Sequence, residues 1–160
     1  MSKPTWLFAA VVTSLVASGC ATAPPPASVA DTIARTPELS TLSKLVSDAG
    51  LADTLRGPGP FTVFAPTDAA FKSVPPATLT ALGNDKERLK AVLMYHVVPT
   101  RVLAADVKNG PAKTAQGGNV ALAKAGAFVT IDDAVVTAPD IAATNGVVHV
   151  VDRVLTPPAR

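Results

Sequence analysis

Cysteine and histidine, the usual residues of metal centres and disulfide frameworks, are scarce in this sequence. The 160 residues include one cysteine and two histidines. A single cysteine cannot form an intrachain disulfide, and His96 and His149 stand far apart with no cysteine near either. A closed structural zinc site takes four such ligands. The sequence therefore predicts neither a bound metal nor a cofactor.

Charge of either sign is also sparse. Charged residues make up 16% of the chain, with 14 Lys and Arg against 12 Asp and Glu, for a net charge of +2 at pH 7. Because the charges are interspersed, no basic stripe is available for nucleic acid, and we expect no nucleic-acid partner. Aromatic residues are only 4%, but hydrophobic residues reach 48%. That composition excludes a disordered chain and suits one ordinary domain.

The sequence lacks the common signatures of catalysis. It contains no G-x-S-x-G elbow, P-loop, dinucleotide-binding glycine fingerprint or H-E-x-x-H motif. The serines from Ser28 onward fall in capping or helical contexts without a nearby histidine. We therefore expect a protein that is not an enzyme, and a hydrolase is the weakest of the functions considered.

Only one long apolar run occurs, over residues 6–17 after Lys3. The run is shorter than the ~20 residues of a transmembrane helix and is typical of a signal-peptide core. Residues 17–20, ASGC, resemble the lipobox of bacterial lipoproteins, in which small residues precede a cysteine that accepts diacylglycerol. We predict a lipoprotein-type signal peptide over residues 1–19 and lipidation at Cys20. The alternative is a secretory signal cleaved after Ala23, where the following proline would hinder the peptidase.

Residues 20–28 contain three consecutive prolines, which favour an extended polyproline II conformation. We predict that this segment is the lipidated cysteine with a proline-rich tether, and that residues 29–158 are a single domain. The membrane is then a partner through the N-terminal lipid anchor. Because Ala21 rather than Asp follows the cysteine, we expect the outer membrane in a Gram-negative host. The alternative signal would leave a secreted or periplasmic protein.

Helices are predicted in the first half of the domain. Asp85 begins the longest of them, which carries one apolar stripe at helical spacing. The stripe consists of Leu89, Val92, Leu93 and His96. Pro76 begins a shorter helix just before it.

Strands are predicted after residue 97, where Val- and Thr-rich runs alternate with turn residues. Asn145-Gly146 is the sharpest turn, because both residues accept a positive φ. Residues 147–155 are the strongest strand, and both of its faces are apolar, which predicts a central position. Helices first and strands later indicate an α+β fold.

Two long phrases and one residue pair resemble the fasciclin domain family. Residues 61–71, FTVFAPTDAAF, resemble its first signature, and residues 145–158, NGVVHVVDRVLTPP, resemble its second. Between them, Tyr95-His96 matches a Tyr-His pair that ends a helix in the family. The resemblance covers residues 28–158 and implies a compact wedge of β-strands flanked by several short α-helices. It also implies an extracytoplasmic adhesion or ligand-binding module without catalysis.

The resemblance also indicates candidate partner-binding residues. In animal members the Tyr-His pair is a proposed cell-binding element, and an Asp-Ile element similar to Asp140-Ile141 is associated with integrin binding. A bacterium has no integrin of its own. The alternative is structural: Tyr95 packs at the helix end, His96 lies on the buried stripe, and Asp140 is at the start of a strand, where it is exposed or bonds a turn amide.

Residues of the two signatures suit structural roles. In the first, Thr67 or Asp68 caps the next helix and Phe71 returns to the core one turn later. In the second, Asn145 and Gly146 form a hairpin turn. His149 is expected to be a hydrogen-bonded core histidine rather than a metal ligand or catalytic base. The reasons are that no second ligand or nucleophile is spaced to join it and that an unpaired buried polar group costs ~1–3 kcal/mol.

Two further expectations concern the acidic pair Asp132-Asp133 and a set of core positions. Asp132-Asp133 suits a hairpin turn better than a Ca²⁺ site, which needs six to eight oxygens. Five residues are predicted to be mostly buried: Phe64, Phe71, Leu93, Val148 and Val150.

Two functions from different classes remain. The first is a non-catalytic, envelope-anchored fasciclin adhesion module that binds a surface protein, a polysaccharide or a matrix component. The alternative is a small apolar-ligand carrier or sensor on the same fold. The first predicts no deep pocket, and the second predicts a concave apolar pocket of a few hundred Å³ or more. A single tethered domain without coiled-coil heptads is expected to be a monomer.

Overall fold

A computed structural model of the chain describes residues 27–157. The predicted signal peptide, Cys20 and most of the predicted tether lie outside the described residues, as do the last three residues of the chain.

The first part of the described chain is helical, and side chains begin several of the helices. The hydroxyl of Ser28 accepts from the N–H of Asp31 at the start of the first helix. Asp85 caps the longest helix of residues 27–157 in the same way, through the N–H of Arg88. The helices are α1 (Val29–Arg35), α2 (Ser40–Asp48), α3 (Ala52–Arg56), α4 (Asp68–Ser73), α5 (Pro76–Asn84) and α6 (Lys86–Tyr95), with a 3₁₀ turn at Pro37–Leu39.

The second part of the described chain supplies most of a seven-stranded mixed sheet, so the fold is α+β, as predicted. The strands lie in the order β2-β1-β7-β6-β5-β4-β3. The β1–β7 pair is parallel and the other pairs are antiparallel. The strands are β1 (Phe61–Pro66), β2 (Val97–Val98), β3 (Gly110–Lys113), β4 (Asn119–Ala125), β5 (Phe128–Ile131), β6 (Ala134–Ala143) and β7 (Gly146–Val151).

Strand β7 lies between β1 and β6, and every one of its residues is buried. The predicted central strand is thereby confirmed, but it is shorter than expected: it ends at Val151 and not at Leu155. The reason is local, because the Asp152 carboxylate turns back to accept from the N–H of Val135 at 2.8 Å. Residues 152–157 then leave the sheet, although Leu155 stays buried.

Two apolar clusters form the core. The helix-side core packs α1, α2, α3 and α6 against one face of β1 and β7. The strand-side core packs Phe64 of β1, Tyr95 of α6 and Val151 of β7 with side chains of β4, β5 and β6. Successive side chains of a strand point to opposite faces of the sheet. The side chains of the two signature strands are therefore divided between these cores. All five residues predicted to be buried are so: Phe64, Phe71, Leu93, Val148 and Val150.

The hairpin between β6 and β7 corrects the predicted turn. Ala143 pairs with Gly146, so the two turn residues are Thr144 and Asn145 rather than Asn145 and Gly146. Neither Asn145 nor Gly146 has a positive φ. Glycine is required at 146 for a different reason: a Cβ there would overlap the carbonyl oxygen of Phe61 on the paired strand.

Candidate functional site

Tyr95 ends α6 and is buried, with 3% of its surface exposed. Its hydroxyl donates to the carbonyl oxygen of Asn119 at 3.0 Å and lies 3.3 Å from Oδ2 of Asp132. Burial, and then the negative charge of Asp132, raise the pKa of Tyr95. The phenol therefore stays protonated and ties α6 to β4 and to the β5–β6 turn.

Asp132 occupies that turn in the left-handed region, with φ 48°, so Asp132-Asp133 forms a hairpin turn as the sequence predicts. The Asp132 Oδ1 accepts from the N–H of Ala121 at 2.7 Å. Within the described part of the chain, no group of three or more His, Cys, Asp or Glu side chains is placed to hold a metal ion.

His96 follows α6 directly and is fully enclosed, with 2% of its surface exposed. Its Nδ1–H donates to the carbonyl oxygen of Val92 at 2.8 Å, and its Nε2 accepts from the N–H of Leu155 at 2.9 Å. Burial lowers the pKa of His96 to about 4, against a smaller raising effect of the Val92 bond. The ring is therefore neutral, and both of its nitrogens are used by the backbone.

His149 lies on β7 and is also buried. Its Nε2–H donates to the carbonyl oxygen of Val102 at 2.8 Å, and its Nδ1 accepts from the N–H of Asp140 at 3.2 Å. The ring stacks on Phe64 with 5.4 Å between centroids and 23° between planes. The imidazole thus joins three segments of backbone: β7, the β6 strand and the loop after β2.

Asp140 and Ile141 lie within β6, so the prediction that Asp140 begins a strand is wrong, whereas the prediction that Asp140 is exposed or bonds a turn amide is confirmed. The strand starts at Ala134, and its register with β7 shifts between Ala138 and Ile141. Asp140 lies in this β-bulge, and its backbone is in the left-handed region, with φ 57°. Its exposed carboxylate accepts from the N–H of Ala104 at 2.8 Å, and Ile141 is half-buried against the helix-side core.

The four candidate binding residues are therefore not equivalent. Tyr95 and His96 are enclosed, whereas Asp140 is exposed and Ile141 is half-buried. Only the Asp140-Ile141 element, among these four, presents surface to a partner.

Asn145 makes contacts that its turn propensity does not reveal. The side-chain Oδ1 accepts from the N–H of Val29 at 2.8 Å, and the Nδ2 donates to the carbonyl oxygens of Leu55 at 2.7 Å and Gly57 at 2.8 Å. One amide therefore fastens α1 and the end of α3 to the β6–β7 turn.

The first signature contributes caps to two helices. The Thr67 hydroxyl accepts from the N–H of Ala70 at the start of α4. Asp68 instead reaches α2, where it accepts from the Ser40 hydroxyl at 2.6 Å and the Thr41 N–H at 2.8 Å. These bonds, the Ser40 bond first, lower the pKa of Asp68.

Thr62 was not singled out from the sequence, although it is a fully buried polar residue in an apolar strand. Its hydroxyl donates to the carbonyl oxygen of Thr100 at 2.6 Å and accepts from the N–H of Val102 at 2.8 Å. Together with His149, it holds the loop after β2 on the sheet.

The concave features of the described residues include a small apolar cavity and two wider depressions. The cavity is about 140 Å³ and lies beneath α5, with Phe71, Leu93 and His96 in its walls. The depressions, about 460 Å³ beside Asp132 and about 290 Å³ beside Asn145, are open to solvent and of mixed polarity. Phe128, at the start of β5, is 69% exposed. Over residues 27–157, no helix is long and apolar enough to cross a membrane.

Comparison with known proteins places this arrangement in a family. The model of the fasciclin domain matches residues 37–157. The uncharacterized protein sll1735 of Synechocystis sp. is 42% identical over 117 residues, which cover 72% of this chain and 87% of the relative. The cell surface glycolipoprotein MPB83 of Mycobacterium bovis is 36% identical over 137 residues, 82% of this chain and 61% of that protein.

A solved structure shows the same fold. The fasciclin-type domain pair of the insect cell adhesion molecule Fasciclin I superposes with a TM-score of 0.68 at 18% identity, covering 82% of this chain and 51% of that one. The chain belongs to the fasciclin domain family.

Proposed function

We propose that the protein is a non-catalytic fasciclin interaction module, anchored to the cell envelope by a lipid at Cys20. Its partner is a surface protein, a polysaccharide or a matrix component. The observation that carries this proposal is the family match over residues 37–157. The name of the mycobacterial relative, a cell surface glycolipoprotein, supports the place in the envelope.

The state of the two histidines supports a role without catalysis. A general base needs a free ring nitrogen within reach of a substrate. Each ring nitrogen of His96 and His149 lies within hydrogen-bond distance of a backbone group, and both rings are buried. Neither histidine presents a nitrogen to a bound molecule.

The exposed part of the Asp140-Ile141 element is the proposed partner-binding surface. A β-bulge re-aims side chains that a regular strand would direct elsewhere, and here it presents the carboxylate of Asp140 at the surface. Phe128 is a second candidate, because a large aromatic side chain that is 69% exposed is a common anchor in interfaces.

An apolar-ligand carrier remains the second candidate function, and the cavity beneath α5 is the observation that favours it. At about 140 Å³, the cavity is below the ~300–1,000 Å³ of pockets that enclose a drug-sized molecule. It is large enough for part of a ligand rather than a whole one, and the adhesion module is therefore the preferred function.

Partner capture tests the adhesion proposal. Beads carrying the full chain with Cys20→Ser would be incubated with envelope extract and with a panel of purified polysaccharides, and bound material identified by mass spectrometry. We expect a captured species that is lost with Asp140→Ala or Phe128→Ser. The matched control is Asp133→Ala, an exposed aspartate on the β5–β6 turn, which should retain capture. Equal capture by all the variants would contradict the proposed surface.

Metabolic labelling tests the anchor separately. Cells expressing the wild type or Cys20→Ser would be given a radioactive fatty acid, followed by fractionation. We expect label only in the wild type and, in a Gram-negative host, only in the outer membrane. Equal label in both proteins would exclude lipidation at Cys20, and a wild type found only in the inner membrane would exclude the outer-membrane location.

A further inference from the structure

The apolar cavity beneath α5 has a uniform chemistry. Its walls come from α2, α4, α5 and α6 and from the segment after β7. Besides Thr41 and Pro66, they are built of hydrocarbon side chains and the His96 ring. The lining includes Leu45, Phe71, Leu79, Leu82, Leu93 and Val154.

The polar side chains in the described walls, those of His96 and Thr41, already have hydrogen-bond partners, and the Thr41 side chain bonds Asp68. Both nitrogens of His96 bond the backbone, and the N–H of Thr41 donates to Asp68. Throughout residues 27–157, every buried side-chain nitrogen or oxygen has a hydrogen-bond partner. A buried water needs two to four polar partners, and apolar cavities of this kind stay dry. An uncharged hydrocarbon is the chemistry that such walls favour.

The size of the cavity limits the length of that hydrocarbon. An engineered apolar cavity of about 150 Å³ in another protein binds benzene, which has six carbons, and the cavity here is about 140 Å³. We infer that it is a binding site for the end of an unbranched alkyl chain of about six carbons. The site goes beyond the proposed adhesion function and is independent of the Asp140-Ile141 surface.

Helix α5 is the wall of the cavity that moves to admit the alkyl chain. None of its residues is buried, and its two leucines, Leu79 and Leu82, are half-buried where they line the cavity. By contrast, α6 buries Leu89, Val92, Leu93 and Tyr95. Segments with few buried apolar contacts open at low free energy. Displacing α5 exposes the cavity without disturbing the sheet.

Chain-length dependence provides the test. The full chain with Cys20→Ser would be titrated with n-alkanols of four to twelve carbons, followed by methyl NMR of the leucine and valine residues. We expect shifts at Leu45, Leu79 and Val154, with a Kd that falls about fourfold per methylene and levels off near six carbons. Backbone hydrogen exchange in α5 should slow on binding, with a smaller change in α6.

Variants at two walls of the cavity test the location of the site. Leu82→Trp fills the cavity from α5 and should weaken binding at least tenfold, and Val154→Phe should do the same from the opposite wall. The control Ala81→Trp adds the same indole at an exposed neighbour and should change the Kd less than twofold. Methyl shifts absent from the lining residues, or weakening by Ala81→Trp equal to that by Leu82→Trp, would overturn the inference.

Supplying the alkyl chain in two forms identifies its source. Alkanols supply a free chain, and neutral phosphatidylcholine vesicles at equal alkyl concentration supply a membrane lipid. Shifts with alkanols alone assign the site to a free alkyl compound. Shifts with both assign it to the lipid as well. Loss of partner capture has no bearing on this result, so the two proposals fail separately.

Discussion

The backbone N–H of Asp140 donates to Nδ1 of His149 at 3.2 Å. The bulge that exposes the Asp140 carboxylate is therefore held from beneath by a ring on the central strand. The opposite nitrogen of the ring holds Val102 at 2.8 Å. The histidine of the second signature shapes the proposed binding surface without belonging to it.

Removing the ring should cost stability. His149→Ala leaves the N–H of Asp140 and the carbonyl of Val102 without a partner and opens a space beside Phe64. We expect the free energy of unfolding to fall by about 2–4 kcal/mol in urea melts. Asp133→Ala, the exposed control, should change it by less than about 0.5 kcal/mol. A His149→Ala protein as stable as the control would show that the ring has no structural role.

Phe71 should be among the most sensitive core positions. Its side chain is 5% exposed and lies between the helix-side core and the cavity. Truncation in Phe71→Ala enlarges a space that is already present, and the expected loss is ~3–5 kcal/mol. The neighbouring Lys72→Ala, on the exposed side of α4, serves as the control. A loss below about 1 kcal/mol for Phe71→Ala would contradict its place in the core.

Two glycine substitutions should have opposite signs. In Gly146→Ala the new Cβ overlaps the carbonyl oxygen of Phe61, so the β1–β7 pair must separate. Gly83 lies in α5, and a Cβ added there would meet no other atom within 4 Å, so Gly83→Ala should stabilise the protein by about 0.5–1 kcal/mol. Thermal melts of the two variants measure both effects. A Gly146→Ala protein with an unchanged Tm would contradict the close approach of the two strands.

Acid should weaken the fold through His96. Its pKa falls from 6.5 to about 4 on folding, so between these values the unfolded chain binds the proton and the folded protein does not. Stability is complete above pH 6.5 and falls by about 3 kcal/mol as the pH drops to 4.

Two measurements check this behaviour. Urea melts between pH 7 and 4 give the loss of stability, and an NMR titration of the imidazole should show no protonation of His96 above about pH 5. Asp68, with its pKa held below 3.8 by the Ser40 and Thr41 bonds, contributes to the loss only at lower pH. Protonation of His96 near 6.5 in the folded protein would contradict its burial.

The parts of the fold that the sequence predicted are those governed by local physics. The Thr67 cap and the apolar stripe of α6 each depend on neighbours within a few positions. The two apolar faces of β7 likewise predicted its central place. The family resemblance added the expectation of a wedge of β-strands flanked by short helices.

What the sequence did not predict depends on partners distant in the chain. The local sequence predicts only that Asn145 is a turn residue. Its side-chain amide in fact bonds one residue in α1 and two at the end of α3. The bulge at Asp140 follows from the register of β6 against β7. Neither the strand order nor the cavity beneath α5 is encoded in a local pattern, since each arises where separate elements meet.

The bonds at the beginning of the domain have a mechanical consequence. The N–H of Thr144 donates to the carbonyl oxygen of Ala27 at 2.9 Å, and Asn145 accepts from Val29. A pull applied at Ala27 is therefore transmitted directly to the turn that begins β7, in the middle of the sheet. Several bonds must break together before α1 can peel away, so a domain loaded from its N-terminal side resists tension at its centre rather than at its edge.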